Sequence, residues 1–184
     1  MLSRPKFAWV LLLVLTSGRV SAGMLDLAPR PLPFPMPTVT YTANGQAHSL
    51  AELQGRPYML WLVSTWCHTC IASLRVMDKA NEQLMQQGFT IVLLRNHDND
   101  GAPGPDARGF AQQFAPGLPG QANWRFGEAS AQMKQALNAK QYPDIYYLVD
   151  AHGQVQTVST APTVTLDRIR RFAQHAENMT RKTP

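Results

Sequence analysis

The pattern of apolar and polar positions divides the chain into alternating strands and helices. A continuous apolar run at residues 58–63 is typical of a strand buried on both faces of a sheet, and a second run follows at residues 89–94. Between them, apolar residues recur at the spacing of one helix face: Ile71, Leu74, Met77 and Leu84. A strand, a helix and a second buried strand predict a βαβ unit with parallel strands.

Shorter patterns extend this unit toward the N-terminus. Residues 38–42 are β-branched and aromatic, and Asn44-Gly45 is the pair that a type I′ turn requires, which predicts a hairpin with a return strand ending at His48. Residues 49–52, Ser-Leu-Ala-Glu, have the capping-box pattern of a short helical turn that stops at Gly55.

The C-terminal half continues the alternation. Residues 96–109 hold prolines, glycines and aspartates and predict a long loop, of the kind that is often functional or mobile. Two helices are expected on either side of a Pro/Gly segment at residues 116–120, then a hairpin of residues 145–149 and 154–159. A last helix follows from its apolar positions Leu166, Ile169, Phe172 and Ala173.

The N-terminus has the features of a secretory signal. Two cations precede an apolar stretch from Phe7 to Leu15, and Val20-Ser21-Ala22 supplies the small residues that a signal peptidase reads, so residues 1–22 are predicted to be a signal peptide. An uncleaved membrane anchor is the alternative, because Arg19 is unusual near a cleavage site. Three of the five net positive charges lie in this segment, and the remaining charge is too small to indicate nucleic-acid binding.

The segment after the signal is rich in proline. Residues 23–37 hold five prolines between positions 29 and 37, which predicts an extended leader lying over the domain surface as a spacer rather than as a ligand for another protein. The predicted domain spans residues 38–177, and residues 178–184 are expected to be a frayed tail.

The two cysteines of the chain lie at the junction of a strand and a helix. Cys67 and Cys70 form a Cys-x-x-Cys pair directly after the first apolar run. The unpaired N–H groups and dipole of a helix N-terminus favour an anion, so a thiolate at Cys67 should be stabilised, and Cys70 is one turn away and able to close a disulfide. So short a loop constrains the unfolded chain little, which favours a redox role over a structural one.

With these elements assembled, the chain resembles the TlpA/ResA-like thiol-disulfide oxidoreductases of the thioredoxin fold. The resemblance covers residues 38–175 and is carried by three segments: residues 49–57, residues 64–70 (Ser-Thr-Trp-Cys-His-Thr-Cys) and residues 142–153, which begin Tyr-Pro-Asp-Ile. It implies an α/β fold with a central mixed sheet flanked by helices and an N-terminal β-hairpin extension. It also implies a periplasmic location, and no cofactor or metal.

The resemblance also implies roles for individual residues. Cys67 would be the nucleophile and Cys70 the resolving thiol, while five neighbours would shape the docking surface: Trp66, His68, Thr69, Tyr142 and Pro143. Pro143 matches a family cis-proline, which implies a cis Tyr142–Pro143 bond and a Tyr142 backbone that pairs with an extended substrate. A strand-opening proline in trans is the other interpretation.

Two positions depart from the family pattern. His68 replaces a common proline between the cysteines and leaves the direction of electron flow open. Trp61 stands where relatives often carry an acid or a polar residue that moves protons to the second cysteine. Proton transfer would then use solvent, His68 or a group that the sequence does not locate.

The expected function is therefore a periplasmic thiol-disulfide oxidoreductase, acting as a reductant on exported proteins, paired with a membrane electron donor or acceptor, and monomeric. A Sco-like copper module is the alternative, because Cys67, His68, Cys70 and His97 are ligands suited to Cu(I). The spacing of two residues between the cysteines argues against it, since Sco-like proteins have three. A redox-inactive interaction domain is the third and weakest hypothesis.

Overall fold

The computed structural model describes residues 27–182, with side chains described as far as residue 178. Within this range eight strands form one mixed sheet in the order β1-β8-β7-β4-β5-β6-β2-β3. The strands are β1 (Phe34–Pro35), β2 (Thr40–Ala43), β3 (Gln46–Ser49), β4 (Tyr58–Val63), β5 (Thr90–Arg95), β6 (Trp124–Ala129), β7 (Asp144–Val149) and β8 (Gln154–Ser159). The predicted signal peptide and residues 23–26 of the leader lie outside the described residues.

The predicted βαβ unit is confirmed and forms the centre of the sheet. All six residues of β4 are buried, and β4 pairs in parallel with β5 and antiparallel with β7. The helices are α1 (His68–Gln86), α2 (Ala107–Phe114), α3 (Ala131–Leu137) and α4 (Pro162–Lys182). The crossover from β4 to β5 runs through α1, whose first turn therefore begins at the end of the central strand.

Alternate side chains of the central strands build two cores, one on each face of the sheet. Met59, Trp61 and Val63 of β4 face α1, α2 and α4, whereas Leu60 and Leu62 face α3 and the N-terminal segment. This period of two decides which side chains of β7 lie beneath α1. Tyr146 and Leu148 belong to the core beneath α1. Asp144, the first residue of β7, lies two positions before Tyr146 and therefore has the same orientation.

The N-terminal predictions are largely confirmed. Asn44 and Gly45 have positive φ angles of 51° and 76° in the turn between β2 and β3, and Ser49 and Glu52 form the capping box of a 3-10 turn at Leu50–Leu53. The sheet begins earlier than the predicted boundary at residue 38, because Phe34 is buried and β1 pairs with β8. An edge strand tolerates the flanking prolines, which lack an N–H donor.

Two other boundaries differ from the sequence prediction. Strand β6 lies where only a connection between two helices was expected, although Trp124 and Phe126 alternate with polar residues as in a half-buried strand. Gly127 lets β6 approach β2, since a Cβ there would lie 2.5 Å from the Thr42 carbonyl oxygen. Helix α4 continues to Lys182, into the segment predicted as a frayed tail.

Candidate active site

The N-terminus of α1 holds the Cys67 thiol. Cys67 is the N-cap residue with φ −80° and ψ 115°, and its Sγ accepts a hydrogen bond from the Cys70 N–H at 3.3 Å. The Thr69 hydroxyl lies 3.0 Å from the same sulfur. Both cysteines are free thiols and both are buried, Cys67 with 5% of its surface exposed and Cys70 with none. The cysteine pair thus lies at a helix N-terminus, as the sequence predicted.

The two thiols differ in acidity. The hydrogen bond from the Cys70 side chain lowers the pKa of Cys67 to about 6; burial acts against this, and the Thr69 hydroxyl and the Cys70 N–H act with it. Burial raises the pKa of Cys70, helped by the shared hydrogen bond and by the charge of Asp144. At neutral pH Cys67 is therefore mainly a thiolate and Cys70 a thiol, the division of labour expected of a nucleophile and a resolving cysteine.

Asp144 is the site residue that sequence reasoning missed. It is buried, accepts a hydrogen bond from Trp61 Nε1 at 2.8 Å and another from the Ala161 N–H at 3.2 Å. Burial raises the pKa of Asp144 to about 6, the Trp61 bond opposes the rise, and the charge of Cys67 adds to it. A buried acid on β7 thus acts on the dithiol through its charge, and it is held by the tryptophan that stands where relatives often carry an acid on β4. An aspartate opening an otherwise apolar strand was the available signal.

The structure corrects the expectation of a cis peptide bond before Pro143. Among residues 27–182 the one cis peptide bond is Leu32–Pro33, so Tyr142–Pro143 is trans. Pro143 nevertheless contacts the dithiol, because its carbonyl oxygen lies 3.2 Å from Cys70 Sγ and accepts a hydrogen bond from the Ser64 N–H at 2.8 Å. The proline thus lies where the family pattern places it, with the other isomer of its peptide bond.

Two asparagines account for the backbone conformation before Pro143. The Tyr142 N–H donates to Asn138 Oδ1 at 2.8 Å, and the Tyr142 carbonyl accepts from Asn138 Nδ2 at 2.9 Å and Asn96 Nδ2 at 3.2 Å. Gln141 adds a left-handed turn, with φ 56°. These bonds turn the Tyr142 backbone toward its own protein, so the groups expected to pair with a substrate strand are already occupied.

The remaining predicted docking residues surround the thiols. Trp66 is 47% exposed although its Nε1 donates to the Asn99 carbonyl at 3.1 Å, and His68 and Thr69 are exposed in the first turn of α1. Tyr142 is half-buried. Trp66, His68 and Thr69 thus adjoin Cys67 or Cys70 in the chain, Pro143 contacts Cys70, and Tyr142 directly precedes Pro143.

The copper hypothesis finds no support in the geometry. His97 Nε2 lies 3.2 Å from Asp98 Oδ2, an exposed carboxylate. Within residues 27–182 no group of three or more His, Cys, Asp or Glu side chains is arranged to hold a metal ion.

In that same range no helix is both long and apolar enough to cross a membrane.

Comparison with known families identifies the fold and the chemistry together. The Redoxin family profile matches residues 34–171, three quarters of the chain, including both cysteines and Pro143. The chain belongs to the Redoxin family. As a Redoxin-family member with an intact dithiol it is a thiol-disulfide oxidoreductase of the thioredoxin fold, which confirms the resemblance found in the sequence. The sequence has no significant match among curated proteins.

Solved structures similar to this Redoxin-family chain have the same fold. A thiol:disulfide interchange protein of the thioredoxin family from Chlorobium tepidum is 19% identical with a TM-score of 0.56, over 80% of this chain and 99% of that one. The thioredoxin domain of a Bacteroides vulgatus thiol-disulfide oxidoreductase is 15% identical with a TM-score of 0.57, over 76% and 96%. A SCO1/SenC family lipoprotein from Bacillus anthracis is 16% identical with a TM-score of 0.59, over 81% and 98%.

Proposed function

We propose that this Redoxin-family oxidoreductase acts after export, as a reductant of disulfides in exported proteins. The observation that carries the proposal is the Cys67 sulfur at the N-terminus of α1, where it accepts the Cys70 N–H, with the Cys70 thiol fully buried beside it. The lowered pKa of Cys67 and the raised pKa of Cys70 agree with this arrangement. A thiolate that is mostly formed at neutral pH attacks disulfides without prior activation. The signal-peptide pattern at residues 1–22 supports export.

In the first half of the reaction, Cys67 Sγ attacks one sulfur of a substrate disulfide. The substrate S–S bond breaks, a Cys67–substrate mixed disulfide forms, and the other substrate sulfur leaves as a thiolate that takes a proton from solvent. Trp66, exposed and fixed through its indole N–H, offers the substrate an apolar surface directly before Cys67. His68 and Thr69 flank the same approach.

In the second half, Cys70 resolves the mixed disulfide. Its thiol loses a proton, its sulfur attacks Cys67 Sγ, and the second substrate sulfur leaves, so that two electrons have passed to the substrate and Cys67–Cys70 has become a disulfide. Asp144 is the proton acceptor in this proposal. It shares the α1 face of β7, its charge influences Cys70, and a pKa of about 6 leaves it ionised at neutral pH.

The oxidised protein then needs a source of two electrons. Exported proteins work in an oxidising compartment, so a membrane electron donor is the partner that would return Cys67–Cys70 to the dithiol. Tyr142 and Pro143 complete the surface that a substrate or this donor would contact. The occupied Tyr142 backbone indicates that side chains contribute more to docking than strand pairing does.

The direct test is to trap the mixed disulfide. The Cys70→Ser variant, exported in the native host, should accumulate disulfide-linked adducts of exported proteins, because no thiol remains to resolve them. Cys67→Ser is the matched control and should trap none. Equal adduct patterns in the two variants would remove Cys67 as the nucleophile.

The reduction potential decides the direction of electron flow. A value for Cys67–Cys70 near −270 mV, as in thioredoxin, supports a reductant, whereas one near −120 mV identifies an oxidant. Export is checked separately by N-terminal sequencing of the exported protein. We expect it to begin at Gly23; a chain that keeps residues 1–22 in the membrane fraction would establish the anchor instead.

A further inference from the structure

A tight turn delivers Cys67 to the N-terminus of α1. The Cys67 N–H donates to the Ser64 carbonyl at 2.9 Å, which closes a four-residue turn with Thr65 and Trp66 at its centre. The position of the Cys67 sulfur relative to the Cys70 N–H depends on this turn, since Cys67 is both its last residue and the helix cap. A residue that holds Thr65 and Trp66 in place therefore sets the position of the Cys67 sulfur.

Asn99 contacts both central residues of the turn. Its side-chain Oδ1 accepts a hydrogen bond from the Thr65 N–H at 2.8 Å and lies 3.3 Å from the Thr65 hydroxyl oxygen. Its backbone carbonyl accepts the Trp66 indole N–H at 3.1 Å. Asn99 comes from the predicted loop after β5, more than thirty residues away, and only 1% of its surface is exposed. One asparagine thus contacts both central residues of the turn.

The loop itself is built to hold Asn99 in place. The Asn99 Nδ2 donates to the carbonyls of Ala102 at 2.9 Å and Pro103 at 3.3 Å, so both ends of the amide are used. Asn99 has φ 50°, a left-handed conformation that asparagine tolerates better than most residues. A Cβ at Gly104 would lie 2.4 Å from Thr65 Oγ1 and 2.9 Å from Asn99 Nδ2. Glycine at this position therefore lets the loop pack closely against the turn.

An arginine fastens the far end of this loop. Arg95, the last residue of β5, forms an ion pair with Glu128 at 2.5 Å and donates to the carbonyls of Gly104 at 3.2 Å and Pro105 at 3.3 Å. The Thr65 hydroxyl also donates to the Pro105 carbonyl at 3.1 Å. The segment expected to be a long loop is therefore tied down at both ends beside the dithiol.

We propose that Asn99 is a positioning residue of the redox site, which holds Thr65 and Trp66 so that the Cys67 sulfur lies against the N–H groups of the first turn of α1. The proposal rests on the proposed thiol exchange at Cys67. Asn99 touches neither thiol, and it acts through the turn. The same contacts fix the exposed Trp66 ring beside Cys67, so Asn99 governs the reactivity of the thiolate and the surface that a substrate meets.

The test compares Asn99→Gly with Asp98→Gly in the full mature chain. Both residues have left-handed φ angles, 50° and 53°, so glycine preserves the backbone in both and relieves strain equally. Only Asn99 contacts the turn, since the Asp98 side chain is 77% exposed and pairs with His97. The readout is the pH dependence of the iodoacetamide alkylation rate of reduced Cys67, with thermal unfolding recorded alongside.

We expect the alkylation midpoint of Asn99→Gly to rise by roughly half to one pH unit, the size of one lost hydrogen bond, while Asp98→Gly stays at the wild-type midpoint. A lower melting temperature with an unchanged midpoint would assign Asn99 a merely structural role and overturn the proposal. An equal rise in both variants would also overturn it, because the effect would then belong to the loop as a whole.

A second variant protects the test against misfolding. Thr65→Val keeps the shape of the side chain and the Thr65 N–H bond but loses the hydroxyl, which bonds the Pro105 carbonyl and contacts Asn99 Oδ1. Its alkylation midpoint should rise by a smaller amount. An unchanged midpoint here contradicts the proposal. Alkylation requires no biological partner, so the outcome is independent of whether mixed disulfides with exported proteins are found.

Discussion

The substitution Asp144→Asn should raise the stability of the protein relative to the wild type as the pH rises from 4 to 7, and should slow the resolution of mixed disulfides. Asp144 is a buried carboxylate that gives up hydration for two hydrogen bonds, from Trp61 and Ala161. Asparagine has nearly the same shape and no charge. The prediction separates a role in proton transfer from a role in packing. A residue retained only for packing would not lower the free energy of unfolding while raising the rate at which mixed disulfides are resolved.

The expected magnitude follows from the pKa of Asp144. Burial raises it from 3.8 to about 6, so the ionised form is disfavoured in the fold by about 3 kcal/mol, at 1.36 kcal/mol per pH unit. An acid whose folded pKa is raised stabilises the fold below its unfolded pKa, and this stability is lost as the pH rises through the folded value. The window is therefore pH 4 to 7, in which the wild type should lose about 2 kcal/mol from this group.

The assay is urea unfolding of the reduced protein at pH 4, 5, 6 and 7. The quantity of interest is the free energy of unfolding of Asp144→Asn minus that of the wild type, which should rise by about 2 kcal/mol across the series. The asparagine amide nitrogen cannot accept the hydrogen bond from the Ala161 N–H, so that bond is lost. This loss lowers the stability of the variant by a similar amount at every pH and leaves the slope unchanged. Asp167→Asn, at an exposed position on α4, is the control and should give a flat difference.

The same variant tests the proton transfer. Release of a peptide from its mixed disulfide with Cys67 should slow at least about tenfold at pH 7, a modest share of what positioned proton transfer contributes in enzymes. If the difference in free energy of unfolding does not change with pH, Asp144 is not a buried carboxylate with a raised pKa, and the reasoning is refuted. If the stability difference rises with pH but the release rate is unchanged, Asp144 destabilises the fold without accepting the Cys70 proton. Solvent would then accept that proton.

Two further predictions concern the cap and the sheet. Thr69→Val removes a hydroxyl 3.0 Å from Cys67 Sγ and should raise the alkylation midpoint of that thiol by roughly half a pH unit, whereas an unchanged midpoint would show that the Cys70 N–H and thiol suffice. Gly127→Ala should lower the free energy of unfolding by at least about 2 kcal/mol, because its Cβ meets the Thr42 carbonyl at 2.5 Å. Gly120→Ala meets nothing within 4 Å, so urea unfolding should leave it near wild type, and an equal loss in both variants would contradict the steric explanation.

Prediction from the sequence succeeded where the signal is local. The central βαβ unit, the Asn44-Gly45 turn and the Cys-x-x-Cys pair at a helix start each follow from neighbouring residues. Strand β6 was missed because Gly127 and two polar residues break its apolar pattern, and its place between β5 and β2 depends on strands distant in the chain. β1 was missed because its two residues lie among prolines.

The trans bond before Pro143 also has a non-local cause. Its environment depends on Asn138 and Asn96, which hold the Tyr142 backbone from a helix end and from the loop after β5. Nothing in the Tyr-Pro dipeptide indicates these partners. A family motif therefore predicted the position of the proline against Cys70 correctly and its peptide geometry wrongly.

The acidity of the dithiol has a local and a distant part, and these differ in how far the sequence determines them. Cys67 owes its low pKa to groups within three residues, the Cys70 thiol and N–H and the Thr69 hydroxyl, so the Cys-x-x-Cys helix start accounts for a thiolate by itself. The pKa of Cys70 is raised first by burial and by the hydrogen bond with Cys67, and then by the charge of Asp144. Asp144 is 74 positions away along the chain and reaches the site because β7 pairs with β4. Trp61 supplies one of the two hydrogen bonds that hold the Asp144 carboxylate, so the two residues act together. This coupling predicts that Trp61→Phe, which leaves Asp144 without that donor, raises the pKa of Asp144 further and shifts the pH dependence of resolution upward, while the alkylation midpoint of Cys67 stays near its wild-type value.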